Sequence, residues 1–175
     1  RRKVQSTSEP PLERAAQLEV ARTIALEQLA ARQRSSHELR VAMARRHVPA
    51  DVADEILERF SEVGLIDDAA FASALAASRS GPGLRGPRRI RQEMQAKGIE
   101  RDVADEALAG ISSEDEREAA LTLARRRMRT LSSLDPVVAK RRLYGVLARR
   151  GFGGGVVASV VEEVCGELAE SDPWD

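Results

Sequence analysis

Between Arg88 and Leu108 the chain repeats, in register and 51 positions later, the segment His37 to Leu57. The pentapeptide Asp-Val-Ala-Asp-Glu is identical in the two copies, at Asp51–Glu55 and at Asp102–Glu106. Leu39 meets Ile90, Met43 meets Met94, Val48 meets Ile99 and Leu57 meets Leu108. A more diverged third copy stands 104 positions after the first, with Leu143, Leu147, Phe152, Val156 and Val160 in the places of Leu39, Met43, Val48, Val52 and Ile56. Self-similarity at a fixed period of about 50 residues is the signature of a repeat architecture, in which each unit is too small to bury its apolar face alone. The expected fold is therefore all-α, an elongated tandem array of three three-helix repeats. The boundaries that follow are a flexible lead-in at 1–18, repeats at 19–66, 67–112 and 113–170, and a tail at 171–175.

Composition agrees with thin helical cores. Of 175 residues, 42% are hydrophobic but only 3% are aromatic, and 32% are charged. A single cysteine permits no internal disulfide, which suits a cytosolic chain. No apolar run approaches the roughly 18 residues that span a bilayer, so no membrane association is expected.

Start and stop signals divide the sequence. After Pro10-Pro11 the spacing of Ala21, Ile24, Ala25 and Leu29 gives a helix to about Arg34. Ser35-Ser36-His37-Glu38 fits a capping box for a second helix with Leu39, Ala42 and Met43 inward. Asp51 is expected to cap a third helix, with Val52, Ile56, Phe60 and Val63 on one face, and Gly64 to stop it. In the second repeat Asp67 or Asp68 caps a helix carrying Phe71 and Leu75. The loop Ser80 to Pro87 follows, Pro87 opens the next helix, Gly98 ends it and Asp102 caps the last. In the third, Ser112 starts a helix with Ala120, Leu123 and Ala124 inward, and Asp135-Pro136 starts another with Leu143, Val146 and Leu147 inward. After Gly151-Phe152 the valines Val156, Val157, Val160, Val161 and Val164 form a final helix that only burial can hold.

Nothing in the sequence assembles into a catalytic constellation. His37 and His47 lack companion ligands of metal-site type. Cys165, among Val161, Val164 and Leu168, reads as a packed thiol. Gly153-Gly154-Gly155 lacks the lysine of a phosphate loop. Asp67-Asp68 reads as capping.

Charge is segregated although the net is zero. From Arg79 to Ile99 six basic residues face the single acid Glu93, and from Arg125 to Arg150 nine face the single acid Asp135. The intervening Glu100–Ala120 carries eight acids against two bases, and the chain from Glu162 onward holds six acids and no base. Such alternation makes local fields that steer partners. Arg88, Arg89 and Arg91 follow Pro87 at the start of a helix, where the dipole disfavours cations, so stability would not select them there. An anionic partner accounts for the placement, and the candidate contacts are Arg85, Arg88, Arg89, Arg91, Lys97, Arg125, Arg126, Arg129, Lys140, Arg141 and Arg142. With Phe60, Phe71, Tyr144, Phe152 and Trp174 as the aromatic set, three of them on core stripes or turns, a base-stacking strand binder is disfavoured.

Three segments together resemble the RecX regulatory proteins of bacteria: Ser-Ser-x-Glu-Leu at Ser35–Leu39, Val63 to Ala72 with its Asp67-Asp68-x-x-Phe71-Ala72 block, and Arg85 to Ile99 with Gly86-Pro87 and Lys97-Gly98. Leu143, Leu147, Arg150, Gly151 and Phe152 agree, and the likeness spans about Ala21 to Leu168. His47 departs from it, standing where glycine is more usual. Asp67, Asp68, Phe71, Gly86, Pro87, Gly98 and Gly151 carry over as mainly structural positions. The resemblance implies a non-enzymatic protein without cofactor or metal, monomeric and cytoplasmic. It further implies binding to the RecA recombinase and its nucleoprotein filament, lower ATPase and strand-exchange activity, and a place in recombinational repair and the SOS response. Contact with DNA phosphates belongs to the same expectation. The rival reading is a helical module that binds duplex or single-stranded DNA directly.

Overall fold

In the computed structural model the backbone is described for residues 11–170 and the side chains for 13–167. The described residues form nine helices and no strand: α1 (Pro11–Ala31), α2 (Ser36–Ala44), α3 (Ala50–Glu62), α4 (Asp68–Ser80), α5 (Pro87–Ala96), α6 (Arg101–Ala109), α7 (Ser113–Leu131), α8 (Pro136–Arg149) and α9 (Gly154–Glu170). Three helices per repeat, in sequence order, make the expected all-α repeat protein. Two compact units divide between Phe71 and Ala72.

In the first unit α1, α2 and α3 bury one cluster, in which Ala21, Leu39, Met43 and Val52 have no exposed surface and Ile24, Ile56 and Phe60 very little. Ser35 caps α2 and Glu38 closes the reciprocal box, as its sequence requires. The extended backbone of that cap forces the preceding helix to end at Ala31, short of Arg34. Ion pairs tie the faces together, Arg14 to Asp51 at 2.6 Å and to Glu55 at 2.7 Å, and Arg40 to Asp54 at 2.6 Å.

Four expectations need correction. Residues 11–18, assigned to the lead-in, are helical, because Pro11 suits a first helical position and Leu, Glu, Arg and Ala follow it; residues 1–10 lie outside the described residues. Asp51 does not cap α3. The cap is Pro49, which makes no side-chain bond, and Asp51 sits inside the first turn, where it meets Arg14 instead. Asp102 likewise lies inside α6, whose cap is Glu100, again without a side-chain bond. Val63 is 70% exposed, because α3 ends at Glu62 and the chain has begun to turn towards Gly64.

The choice between Asp67 and Asp68 resolves into two roles. Asp67 accepts the Ala70 amide at 2.8 Å and caps α4, while Asp68 accepts the Ser36 amide of α2 at 2.9 Å.

In the second unit the buried residues of α5 and α6 are Ile90, Met94, Ala104 and Leu108. The larger cluster belongs to α7, α8 and α9, where Leu143, Leu147, Phe152, Val157, Val160 and Val161 are almost wholly enclosed. Burial of the valine-rich face holds α9 against its weak helix propensity. Ser112 and Asp115 form a capping box for α7, and Asp135 caps α8 through the amides of Val137 and Val138. Cys165 packs beside the cluster, and burial raises its thiol pKa, which keeps it protonated.

One turn occurs three times. The second helix of each repeat ends in a residue with positive φ: His47 at 61°, Gly98 at 70° and Gly151 at 88°. In each, the following amide reaches back to the last turn, Val48 to Met43 (3.2 Å), Ile99 to Met94 (3.0 Å) and Phe152 to Leu147 (3.5 Å). This is the Schellman closure, with an apolar residue folded inward just beyond it. Repetition in sequence has become repetition in geometry.

Candidate functional site

The loop between α4 and α5 and the turn between α8 and α9 meet backbone to backbone. Gly86 donates its amide to the Arg150 carbonyl at 2.9 Å, and Arg88 donates its amide to the Gly151 carbonyl at 3.2 Å. The N-cap of α5 is Gly86, with no side chain to satisfy the orphan amides of the first turn. The end of α8 supplies carbonyls in place of a cap. As a result the arginines that open α5 lie beside those that close α8.

A cavity of about 600 Å³ opens at this junction, lined by Arg85, Arg89, Arg127, Val146, Arg149 and Arg150. A second, of about 370 Å³, shares Arg127 and Arg150 with it and adds Arg126, Thr130, Leu123 and the loop Pro82–Leu84. Six guanidinium groups from α5, α7, α8 and the flanking loop therefore border one basic trough.

Their charges are differently committed. Glu93 takes Arg79 at 2.9 Å and also pairs with Arg85, fastening the loop before α5. The Arg79 guanidinium, hydrogen-bonded to Glu93, holds that carboxyl below the usual glutamate range, with Arg85 and Lys97 adding to the effect. Arg150 donates to the Gly83 carbonyl at 3.3 Å. No carboxylate among the described residues pairs with Arg89, Arg126, Arg127 or Arg149. The amide of Arg89 turns back to the Gly86 carbonyl, and its side chain makes only a long contact to Gln92.

Of the eleven arginines and lysines expected at a partner surface, Arg85, Arg89 and Arg126 reach the trough. The others do not line it. Arg91 pairs with Asp105 at 2.7 Å, Arg125 with Glu167 at 2.5 Å and Lys140 with Glu162 at 2.6 Å, so these three hold helices together. Lys97 contributes its charge near Glu93. Arg88, Arg129, Arg141 and Arg142 are exposed elsewhere on the surface. Arg127, Arg149 and Arg150 also line the trough; they belong to the basic run from Arg125 to Arg150 but stand outside the eleven candidate contacts.

Comparison between the repeats shows what changed. At the start of α2 the position corresponding to Arg89 is Glu38, which completes the capping box and suits the positive end of a helix. The pair Arg40–Asp54 in the first repeat recurs as Arg91–Asp105 in the second, 51 positions on. The stabilising pair is retained while the residue at the helix start has reversed its charge.

Another cavity, about 860 Å³, is lined by small and acidic residues of α4, α6 and α7 and the turn after α6, among them Ala76, Ala77, Glu106, Gly110 and Glu118. Its chemistry is unlike that of the trough. Among the described residues no group of three His, Cys, Asp or Glu side chains is placed to hold a metal ion, and no helix is long and apolar enough to cross a membrane.

Three-helix units in series with an arginine-lined trough at the second junction define a helical-repeat protein. Family models for the first, second and third three-helix domains of RecX match residues 21–60, 67–108 and 114–161. The chain belongs to the RecX family of regulatory proteins. It is 39% identical over 163 residues to the Regulatory protein RecX of Streptomyces coelicolor, covering 93% of this chain and 85% of the relative. To that of Mycobacterium marinum it is 41% identical over 157 residues, covering 89% and 88%. The crystal structure of RecX from Lactobacillus salivarius matches the fold with a TM-score of 0.78 at 21% identity, over 85% of this chain and 97% of that one. A second crystal structure of a regulatory protein RecX gives a TM-score of 0.80 at 24% identity, over 90% and 81%.

Proposed function

We propose that this protein is a non-enzymatic regulator that binds the RecA recombinase and its nucleoprotein filament and lowers ATPase, strand exchange and recombination. It acts as a cytoplasmic monomer through adhesion alone. The observation that carries the reading is the match of all three domains to a family named for regulation, joined to a trough in which Arg89, Arg126, Arg127 and Arg149 pair with no carboxylate among the described residues. A filament of protein on nucleic acid offers both acidic protein surface and phosphate, and guanidinium forks engage either bidentately.

The test is the recombinase ATPase on single-stranded DNA, titrated with wild type and with the Arg88→Glu/Arg89→Glu double variant. Arg91 is left in place because its removal would strand Asp105. The expected result is inhibition by wild type and at least tenfold weaker inhibition by the variant, with unchanged thermal unfolding. Failure of wild type to inhibit at any concentration sinks the reading.

The rival, direct binding to DNA as the whole function, is favoured by the arginine trough itself. It predicts tight binding to naked duplex with a steep salt dependence and no preference for recombinase-coated DNA.

A further inference from the structure

We infer that the cavity between α4, α6 and α7 is a docking groove for a cationic amphipathic helix of a partner protein. Glu106 and Glu118 are its charged contacts, and Ser73, Ala76, Ala77 and Ala107 are the surface on which the helix lies. The inference goes beyond the regulatory reading and does not rest on it, since this groove shares only Leu84 with the arginine-lined cavities.

The packing of the second repeat leaves the space. In the first repeat α1 packs against both α2 and α3, and in the third α7 packs against both α8 and α9. In the second, α5 and α6 pack on each other, but α4 makes no comparable contact with either. The gap is the cavity of about 860 Å³. On its α4 wall Ser73, Ala76, Ala77 and Ser80 recur at helical spacing, so one face of α4 carries only small side chains over two turns. Ala107 and Gly110 form the α6 side, and Ala119 and Thr122 the α7 side. Walls this small let the backbone of a partner helix come close.

Charge decides what kind of helix fits. No lysine or arginine lines the cavity, whereas Glu106, Asp115 and Glu118 do. Asp115 is committed to the Ser112 cap. Glu106 and Glu118 are exposed, and neither pairs with a cation among the described residues. Their neighbours do pair, Asp105 with Arg91, and Glu114 and Glu163 with Arg117. Both α4 and α6 end at the cavity, near Ser80-Gly81 and Gly110, and bring the negative ends of their dipoles to it. The positive end of α7 is answered by Glu114, Asp115 and Glu116 in its own first turn. The field left over favours a cation.

The occupant is helical because the walls offer it no backbone partners. Regular helices form the three walls, and no strand edge occurs among the described residues. A segment laid here must satisfy its own amides and carbonyls, as a helix does. Small side chains on its buried face and lysine or arginine at its rim complete the match.

The experiment is fluorescence anisotropy with a labelled peptide of about 16 residues, long enough to be helical in isolation, made of alanine with lysine at every fourth position. The same peptide with glutamate in place of lysine is the charge control. Wild type is compared with Glu106→Gln/Glu118→Gln and with Ala77→Leu, which fills the groove from an exposed position on α4. A further variant, Glu58→Gln/Glu62→Gln, removes exposed acids of α3 outside the groove. Every substituted side chain is exposed, so thermal unfolding is expected to be unchanged. The lysine peptide is expected to bind wild type saturably and Glu106→Gln/Glu118→Gln at least about fivefold more weakly, the scale of two exposed ion pairs. Ala77→Leu is expected to lose binding through steric filling alone, and the α3 variant to stay within about twofold of wild type. The absence of saturable binding to wild type below about 1 mM overturns the inference. Equal binding of the glutamate peptide, or an equal loss in the α3 variant, does the same. If spermidine displaces the peptide as effectively as unlabelled peptide does, the site takes small polycations and the helix assignment is wrong. Sedimentation of the protein alone across a concentration series is the last arm. A dimer that Ala77→Leu abolishes would make the occupant a second copy of this chain and overturn the partner assignment.

Discussion

Gly86 and Gly151 are packed so closely that a Cβ on Gly86 would lie 2.3 Å from both the carbonyl carbon and the carbonyl oxygen of Gly151. The converse is equally tight, since a Cβ on Gly151 would stand 2.4 Å from the Arg89 amide nitrogen. Both collisions are with backbone, which has no rotamer by which to escape. Gly86→Ala is therefore expected to separate α5 from the α8–α9 turn, at a cost of about 3 kcal/mol, near the upper end for overpacking. Gly151→Ala adds the strain of a positive φ of 88°. Chemical denaturation measures the loss. Oligonucleotide binding should fall with it, because the joint places Arg89 beside Arg149. A Gly86→Ala protein with wild-type stability would mean that the joint is not closed in solution.

Acid should loosen the loop before α5. Glu93 is mostly enclosed, and its folded pKa is lowered from 4.5, first by the hydrogen bond from Arg79. A depressed folded value means that the stabilisation is complete above the ordinary glutamate pKa and is lost as the pH falls through the folded one. Glu93→Gln is expected to cost about 1.5–3 kcal/mol at neutral pH, the scale of a hydrogen bond to a charged group. Below pH 4 the difference from wild type should shrink. Asp115, lowered by its bond from Ser112, titrates in both proteins and cancels in the comparison. A stability difference that stays constant from pH 7 to 3 contradicts this role.

Much of the fold was legible because local chemistry and packing agree here. Ser35, Ser112, Asp135, Pro87, Gly64 and Gly98 each do in space what their residue type does locally. Asp51 and Asp102 misled because a first-turn aspartate and an N-cap aspartate differ by two positions, and the turns ending in Pro49 and Glu100 start their helices early. The identity of the two Asp-Val-Ala-Asp-Glu segments has its reason in part in Asp54 and Asp105, which meet Arg40 and Arg91 across neighbouring helices. The third repeat has Tyr144 at the corresponding position, 45% exposed. The trough itself was only half legible. Charge runs show which basic residues exist, but pairing of arginines with Glu93, Asp105 or Glu167 and of Lys140 with Glu162 depends on the folded contacts, and it separates the structural basic residues from the rest.

His47 occupies the left-handed position that glycine holds in the other two repeats. A side chain with φ of 61° is strained by roughly 1–2 kcal/mol, and glycine gives back part of that through its freer unfolded chain. His47 is exposed. His47→Gly is therefore expected to stabilise the first repeat by about 0.5–1 kcal/mol, visible as a rise in Tm of about 1–4 °C. A lower Tm would show that the imidazole makes a compensating interaction.

Gly145 lies inside α8, where glycine ordinarily weakens a helix. Here it makes room, because a Cβ at this position would come 3.1 Å from Arg149 Nη1. The guanidinium rests against the bare turn below it and is held towards the trough. Since the obstructed atom is the far end of a flexible side chain, Gly145→Ala is tolerated, and helix propensity should raise stability by about 0.5–1 kcal/mol. The same methyl displaces Arg149, so affinity for oligothymidylate should fall, though less than in Arg149→Gln. Thermal unfolding and anisotropy on one preparation check both signs. A variant that gains stability and keeps full affinity would show that the resting place of Arg149 does not matter to the site, whereas opposite movement of the two readouts identifies Gly145 as a position where helix strength yields to the placement of a charge.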